Sequence, residues 1–322
     1  MKSKDIRIVF MGNPEFAVPS LEQMNKHFNI VGVVTGPDRK GGRGRKEIIE
    51  SAVKKKAIEL GIPFLQPEKL RDAEFIIALK AWNADLQVVV AFRMLPRIVW
   101  SMPPMGTINL HSSLLPAYRG AAPINWAIIN GEAITGLTTF RLAHEIDTGD
   151  IIMSRKLDIG PDETAGHLHD RMMVAGAGLL VETVERILDG SAKPLPQDES
   201  KVSAAPKIFH DDAKIDPLKS VRQIHNFVRG MSPYPGAWYP FSDGKTIKII
   251  KGVPLNYKKS FDPGVWVSDG KKFLALVVKD GFYKCIEVKL SGKRAMLVSE
   301  LLNGMDLSGS EVQCDDIFSK AK

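Results

Sequence analysis

The sequence has few cysteines and lacks any long uninterrupted run of apolar residues. Only Cys285 and Cys314 are cysteines, which is too few for a disulfide framework or a cysteine-based zinc site. No apolar run approaches the roughly 18–20 residues that cross a bilayer, so we expect no membrane-spanning helix and no membrane partner. The first residues show no hydrophobic leader followed by a cleavage site. We therefore expect two free thiols and a cytoplasmic location.

The overall composition is typical of a globular protein with two or three domains. Hydrophobic residues make up 44% of the 322 residues and charged residues 25%, which argues against a disordered or fibrous chain. At about 100–200 residues per domain, this length predicts two domains and allows three. Such a chain can bury a core without disulfides or metals.

Positive charge is concentrated in two regions of the chain. The net charge is +7, of which residues 1–189 contribute +1 and residues 190–322 contribute +6. A glycine-rich stretch adds five basic residues close together, namely Arg39, Lys40, Arg43, Arg45 and Lys46. Such a stretch can adapt to a phosphate backbone, so it predicts binding of a polyanion such as nucleic acid. For the C-terminal third, a merely solubilising surface is an equally good interpretation.

Strand-like and helical patterns alternate over the first 160 residues. Apolar runs predict strands at residues 6–11, 30–35, 86–91 and 107–110, and periodic patterns predict helices at 16–27, 49–60 and 75–82. The alternation predicts right-handed crossovers and hence an α/β, Rossmann-like, mostly parallel sheet with helices on both faces. In such sheets ligands bind beyond the carboxyl ends of the strands.

The pattern changes after a long helix predicted at residues 164–188. Residues 190–208 are rich in proline, serine, lysine and aspartate, and we interpret them as a linker. A helix at 220–229 and five short strands follow, the strands being at 237–241, 246–250, 264–267, 273–278 and 285–290. These strands predict a small C-terminal β-barrel of the oligonucleotide-binding type.

The residues from 109 to 120 hold the richest chemistry, and they follow the strand predicted at 107–110. Alternation on that strand sends Asn109 and His111 to the same side, where an amide and an imidazole could stabilise an oxyanion. Asp147, further along the chain, could orient and charge the imidazole. A structural histidine and a common Asp-Thr-Gly turn explain the spacing equally well.

Two familiar site types are disfavoured by the motifs that are missing. No serine lies in a Gly-x-Ser-x-Gly elbow, which argues against an α/β-hydrolase. Gly12-Asn13-Pro14 does not complete the Gly-x-Gly-x-x-Gly fingerprint, which argues against a nicotinamide cofactor.

The combined motif identifies a family resemblance. The sequence N-x-H-x-S-L-L-P-x-Y-R-G from Asn109 to Gly120, with Asp147-Thr148-Gly149 downstream, resembles the folate-dependent formyltransferases. Those enzymes transfer a formyl group from 10-formyltetrahydrofolate to an amine. Residues 10–17 (FMGNPEFA) and 37–46 (PDRKGGRGRK) resemble the members that formylate methionyl-tRNA for translation initiation.

The resemblance implies an organisation, two substrates and a set of site residues. It implies a catalytic domain at residues 1–189, a linker at 190–208 and a tRNA-binding β-barrel at 209–322, in a monomer that needs no metal. The folate is then a consumed co-substrate and methionyl-initiator tRNA the acceptor. The implied catalytic residues are Asn109, His111 and Asp147. The implied folate-binding residues are Ala91, Phe92, Arg93, Ser113, Leu114, Leu115, Pro116 and Ile146. The implied tRNA-binding residues are Arg39, Lys40, Arg43, Arg45 and Lys46, with Arg43 as the main contact.

Three other functions stay open at this point. A formyltransferase for a nucleotide or amino sugar would share the chemistry without needing the basic loop or the barrel. A non-enzymatic RNA-binding module would not need Asn109, His111 and Asp147. A folate-dependent hydrolase that releases formate would use a similar triad, usually with a smaller regulatory domain at the other end of the chain.

Overall fold

The structure, a computed structural model, describes residues 4–41, 47–241, 244–255, 261–304 and 313–314. The chain divides into two compact units. The first contains the described residues up to Pro123, together with Ile134–Asp158 and His169–Ala205. The second contains Ile124–Ala133, Ile159–Leu168 and the described residues from Pro206 onward. Within the described ranges, no helix is both long and apolar enough to span a membrane.

The first unit is built around a seven-stranded sheet. Two short strand pairs, β3–β4 and β8–β11, lie outside this sheet. The strands of the unit are β1 (Arg7–Gly12), β2 (Asn29–Val34), β3 (Arg39–Gly41), β4 (Glu47–Ile49), β5 (Phe64–Leu65), β6 (Leu86–Val90), β7 (Thr107–His111), β8 (Arg119–Gly120), β9 (Ile134–Arg141), β10 (Ile151–Asp158) and β11 (Ala204–Ala205). Its helices are α1 (Val18–His27), α2 (Ala52–Glu59), α3 (Ala73–Ala81) and α4 (Arg97–Trp100). Two further helices, α5 (Pro123–Ile129) and α6 (Ala165–Leu188), contribute residues to both units.

The strand order of this sheet is β10-β9-β7-β6-β1-β2-β5. The strands from β7 to β5 pair in parallel, whereas β9 is antiparallel to both β7 and β10. The central strand β6 reads Leu-Gln-Val-Val-Val with all five residues buried, as expected where a strand is covered on both faces. The predicted α/β class is therefore confirmed.

The parallel register brings the ends of three central strands to one edge of the sheet. Val90, the last residue of β6, pairs with Gly12 of β1 and with Leu110 of β7. The segments that follow these strands therefore begin side by side. Gly12 permits a close turn there, because a Cβ at this position would lie 2.8 Å from the Cβ of Ala17.

The helix predicted at residues 49–60 begins later, at Ala52, and the prediction of its start was wrong. Glu47–Ile49 instead forms β4, which pairs antiparallel with β3. Ser51 caps the helix, since its Oγ accepts a hydrogen bond from the Lys54 N–H at 2.9 Å. Ile48 and Ile49 are apolar in the sequence, as residues on the buried face of a helix would be. In the structure, however, they are 72% and 54% exposed.

The second unit contains a mostly antiparallel sheet against which a helix packs. Its strands are β12 (Ala237–Pro240), β13 (Thr246–Leu255), β14 (Trp266–Ser268), β15 (Leu274–Val278), β16 (Gly281–Leu290), β17 (Ala295–Leu297) and β18 (Gln313–Cys314), and its helices are α7 (Val221–Met231) and α8 (Val298–Asn303). The order is β12-β13-β16-β15-β14-β18, with β17 beside β16. Ser220 and Gln223 form a capping box at the start of α7, whose Ile224 and Val228 enter the core. The predicted C-terminal β domain is confirmed.

The predicted boundaries at residues 189 and 208 stay a prediction, but the second unit also takes in two short earlier segments. Asn125 donates to the Gly230 carbonyl at 2.7 Å, and Arg229 donates to the Gly160 and Glu163 carbonyls at 3.3 and 3.1 Å. These hydrogen bonds hold residues 124–133 and 159–168 against α7. A continuous division of the sequence does not capture such contacts.

Candidate active site

A cavity of about 540 Å³ opens in the first unit beyond the ends of β6 and β7. Its walls combine apolar side chains with a few polar groups, the usual character of a small-molecule site. Many of the residues singled out by the sequence line it, namely Ala91, Phe92, Arg93, Asn109, His111, Ile146 and Asp147. The three proposed catalytic residues therefore share one cavity, although Asp147 is distant in sequence.

Asn109 presents an amide to this cavity from the middle of β7. It pairs with Val89 of β6 on one side and with Phe140 of β9 on the other, so its backbone is held within the sheet. Its side-chain Oδ1 is buried, yet no group among the described residues hydrogen-bonds to it. A buried amide oxygen without a partner carries a free-energy cost, and such orphans mark places where function outweighs stability.

His111 ends β7 and is 6% exposed. Its Nε2 lies 2.9 Å from the carbonyl oxygen of Tyr118. A carbonyl can only accept, so the proton of the ring belongs on Nε2. The other nitrogen, Nδ1, lies 3.7 Å from Oδ2 of Asp147, too far for a direct hydrogen bond. Nδ1 is therefore the ring atom that faces the cavity and the carboxylate.

Asp147 is held in an unusual backbone conformation. Its φ angle is +57°, in the left-handed region that few residues other than glycine adopt. Its Oδ2 accepts a hydrogen bond from the Gly120 N–H at 3.0 Å, which fixes the carboxylate beside His111. Ala91 and Tyr118 also have positive φ, at +48° and +63°. Such strain persists only where the surroundings enforce it, and two of these residues, Ala91 and Asp147, line the cavity.

The segment from Ser113 to Pro116, for which folate contacts were expected, does not line the cavity. The Ser113 hydroxyl donates to the Ala117 carbonyl at 2.6 Å, and the Leu115 N–H donates to the Thr138 hydroxyl at 3.1 Å. These groups build the turn between His111 and Tyr118. Their folate contacts stay a prediction, and the neighbouring Ser112 lines the cavity instead.

Arg93 brings a positive charge to the cavity wall. Its guanidinium donates to the carbonyl of Glu68 at 2.7 Å and also to the carbonyl of Pro67. Burial and the nearby guanidinium of Arg39 both lower the pKa of Arg93 from its ordinary value. Arg39, on β3, and Arg93, on the cavity wall, thus carry like charges that repel each other.

The basic stretch is described only in part. Arg39 and Lys40 are exposed on β3, whereas Arg43, Arg45 and Lys46 lie outside the described residues. The base of the β3–β4 pair is fixed by Lys54 of α2. The Lys54 ammonium lies 2.5 Å from a carboxylate oxygen of Asp38, before β3, and 2.7 Å from one of Glu50, after β4. One cation thus ties together both ends of the pair.

Several residues of the site were not singled out by the sequence. Phe16, Gly120 and Ala121 line the cavity, and Gln197 supports the Asp147 turn through its side chain. Phe16 and Gly120 lie inside quoted motifs, which was a usable signal. Gln197 lies in the stretch interpreted as a linker, and nothing in its sequence context indicated the contact. Within the described ranges, no group of three or more histidine, cysteine or acidic side chains could hold a metal ion.

Comparison with known proteins decides the family. The profile of the formyl transferase family matches residues 6–184, and that of the formyl transferase C-terminal domain matches residues 207–306. The chain belongs to the formyl transferase family. The resemblance drawn from the motifs, and with it the assignment as an enzyme of this class, is confirmed.

Relatives within the formyl transferase family match almost the full chain. A protein from Bacteroides fragilis named methionyl-tRNA formyltransferase is 48% identical over 317 residues, covering 96% of this chain and 98% of its own. A protein of the same name from Flavobacterium johnsoniae is 46% identical over 308 residues, covering 94% and 97%. Each match therefore extends over nearly the whole length of both proteins.

Solved structures share the fold at lower sequence identity. WlaRD, a sugar 3N-formyltransferase solved with dTDP and 5-N-formyltetrahydrofolate, matches with a TM-score of 0.64 at 23% identity, covering 90% of this chain and 99% of its own. HypX from Aquifex aeolicus, solved with tetrahydrofolic acid, matches with a TM-score of 0.63 at 18% identity. The match covers 96% of this chain but 48% of HypX. These likenesses support the fold.

Proposed function

We propose that the protein transfers the formyl group of 10-formyltetrahydrofolate to the α-amino group of methionyl-initiator tRNA. The observation that carries the proposal is 48% identity over 96% of the chain to a methionyl-tRNA formyltransferase. The cavity supports it, since an amide, an imidazole and a carboxylate meet on walls that are otherwise largely apolar. We further propose that the protein is cytoplasmic and acts as a monomer.

His111 acts on the formyl oxygen in this proposal. The folate supplies an activated one-carbon unit, and negative charge grows on its oxygen as the amine attacks. Because Nε2 is committed to the Tyr118 carbonyl, the protonated ring can donate to that oxygen only from Nδ1. Asp147, with Oδ2 at 3.7 Å from Nδ1, stabilises the charged ring. The Asn109 amide provides a second polar group for the same charge.

Asp147 has a second task, which is to guide the proton released by the attacking amine. Its Oδ2 is held by the Gly120 N–H, whereas no hydrogen bond to a described residue is shown for its Oδ1. A carboxylate held in this way can order a water molecule between the attacking and the leaving nitrogen.

The decisive experiment is a formylation assay with labelled 10-formyltetrahydrofolate and methionyl-initiator tRNA. We expect rapid label transfer to the aminoacyl-tRNA and none to nucleotide-linked amino sugars or small amines. Label transfer to an amino sugar alone would instead support the sugar N-formyltransferase alternative, the activity named for the structural neighbour WlaRD. Release of labelled formate without an acceptor would support a hydrolase.

Replacing Arg43 by alanine should selectively weaken the use of tRNA. Loss of one charged contact to a phosphate should lower kcat/KM for methionyl-tRNA about tenfold. It should also reduce the slope of log(kcat/KM) against log[salt] by about 1. Steady-state kinetics at several salt concentrations measure both effects. Lys80→Ala, which removes an exposed lysine of α3, is the control; an equal effect of both substitutions would remove Arg43 from the tRNA contact.

Replacing Lys54 by methionine should have a related effect without touching a phosphate. The change removes the ion pairs of Lys54 with Asp38 and Glu50, although Asp38 keeps its hydrogen bond from Gln66. The β3–β4 pair is then held less firmly and must be ordered when tRNA binds. We expect kcat/KM for tRNA to fall about fivefold, in line with the cost of ordering a loop, and KM for folate to stay unchanged. Lys55→Met, at the exposed neighbouring position, is the matched control. Identical kinetics of the two variants would show that the Lys54 ion pairs have no role in the use of tRNA.

A further inference from the structure

The segment at residues 197–205, which the sequence predicts as a linker, packs onto the turn that holds the catalytic groups. β11 pairs in parallel with β8, so Ala204 lies beside Arg119 and Ala205 beside Gly120. Ser203 adds two hydrogen bonds, since its hydroxyl accepts from the Tyr118 N–H and its carbonyl from the Arg119 N–H, both at 2.9 Å. Residues 118–120 in turn hold His111 through the Tyr118 carbonyl and Asp147 through the Gly120 N–H.

Gln197 makes a second connection, directly to the Asp147 turn. Its Nε2 donates to the carbonyl of Asp147 at 2.7 Å and to the carbonyl of Gly149 at 2.9 Å. These two carbonyls lie on either side of Thr148, so one amide group clamps the turn. The turn is tightly packed, because a Cβ on Gly149 would collide with the carbonyl oxygen of Arg141.

Arg119 fixes the orientation of the Gln197 amide. Its Nε and Nη2 donate to Oε1 of Gln197 at 3.0 and 2.8 Å. Arginine can only donate and carbonyls can only accept, so the amide cannot be turned around. The two terminal nitrogens of Arg119 also form a fork with Glu199, at 3.1 and 2.7 Å. The hydrogen bond from Arg119 lowers the pKa of the Glu199 carboxyl.

We propose that Gln197 is a positioning residue, which holds Asp147 in its left-handed conformation so that the carboxylate faces Nδ1 of His111. The role of Asp147 in this statement rests on the proposed function. The clamp acts where backbone strain must be held, at φ +57°. Glu199 holds Arg119, and Arg119 holds the Gln197 side chain with its NH₂ group directed at the two carbonyls. Residues 197–205 are thus a support of the active site.

Hydrogen exchange tests this inference without any catalysis. Gln197→Glu keeps the size and the pairing with Arg119, but it sets an anion against the carbonyls of Asp147 and Gly149. We expect peptides covering residues 118–120 and 145–149 to exchange at least about fivefold faster in this variant, with other peptides unchanged. Gln23→Glu, at an exposed position of α1, is the matched control. Unchanged exchange around Asp147 would overturn the inference.

Kinetics separate positioning from a general contribution to stability. We expect Gln197→Glu to lower kcat for formylation about tenfold, with KM for folate unchanged and the thermal midpoint within about 2 °C of the parent. A merely structural brace would tolerate glutamate, because its carboxylate pairs more strongly with Arg119, so unchanged kcat would overturn the inference. Gln197→Met, which loses both sets of hydrogen bonds, should lose kcat as well.

A double-mutant comparison links the effect to Asp147. If Gln197 acts through that carboxylate, adding Gln197→Glu to Asp147→Ala should cause no further loss of residual activity. A full additional tenfold loss would overturn the inference. If the parent protein does not formylate methionyl-tRNA at all, the proposed function fails, and the exchange experiment alone then decides whether Gln197 holds the turn.

Discussion

Replacing His111 by alanine is expected to lower kcat for formylation about 10²–10³-fold, while KM for folate changes by less than about threefold. The reason is that Nδ1 is the ring atom facing the cavity, and its proton acts only when charge develops on the formyl oxygen. Losing one such donor costs about 3–4 kcal/mol of transition-state stabilisation. An interaction made only in the transition state affects kcat and leaves ground-state binding intact.

Single-turnover kinetics with saturating folate measure this effect separately from product release. His167→Ala, which removes an exposed histidine from α6, should behave as the parent. Because His111 also holds the Tyr118 carbonyl, His111→Gln is a useful second variant: its amide can still donate to that carbonyl but carries no charge. If both His111 variants kept near-native kcat, the imidazole would have no catalytic role.

The fold was accessible to sequence analysis because burial on both faces leaves a strong pattern. The run Leu-Gln-Val-Val-Val of β6 predicted a central strand, and the parallel sheet directed attention to the residues beyond it. Alternation along β7 predicted that Asn109 and His111 face one side, and both line the same cavity. Local periodicity thus carried the inference from strand to site.

What escaped the sequence analysis depends on contacts between distant segments. Glu47–Ile49 forms a strand because it pairs with β3, although Ile49 belonged to the pattern that predicted a helix. Gln197 looked like part of a polar linker, since nothing near it in sequence reveals that its amide meets the carbonyls of Asp147 and Gly149. A side chain that acts by hydrogen-bonding the backbone of a distant residue leaves no periodic pattern in the sequence.

Replacing Asn109 by leucine is expected to change activity and stability in opposite directions. We expect kcat to fall about 10²–10³-fold, because one of the two groups that stabilise the formyl oxygen is lost. The free energy of unfolding should rise by about 1 kcal/mol, because Oδ1 is buried without a partner among the described residues. Replacing an unsatisfied polar group by an apolar group of similar shape removes its desolvation penalty.

The contrast with Thr135 makes this prediction specific to the active site. The Thr135 hydroxyl is also buried without a partner in the described part of the chain, but it does not line the cavity. Thr135→Val should therefore increase stability in urea unfolding and leave kcat unchanged. Only a residue retained for catalysis should, when replaced, raise the free energy of unfolding and lower kcat. If Asn109→Leu were destabilising and fully active, its amide would be serving the fold, and the oxyanion would depend on His111 alone.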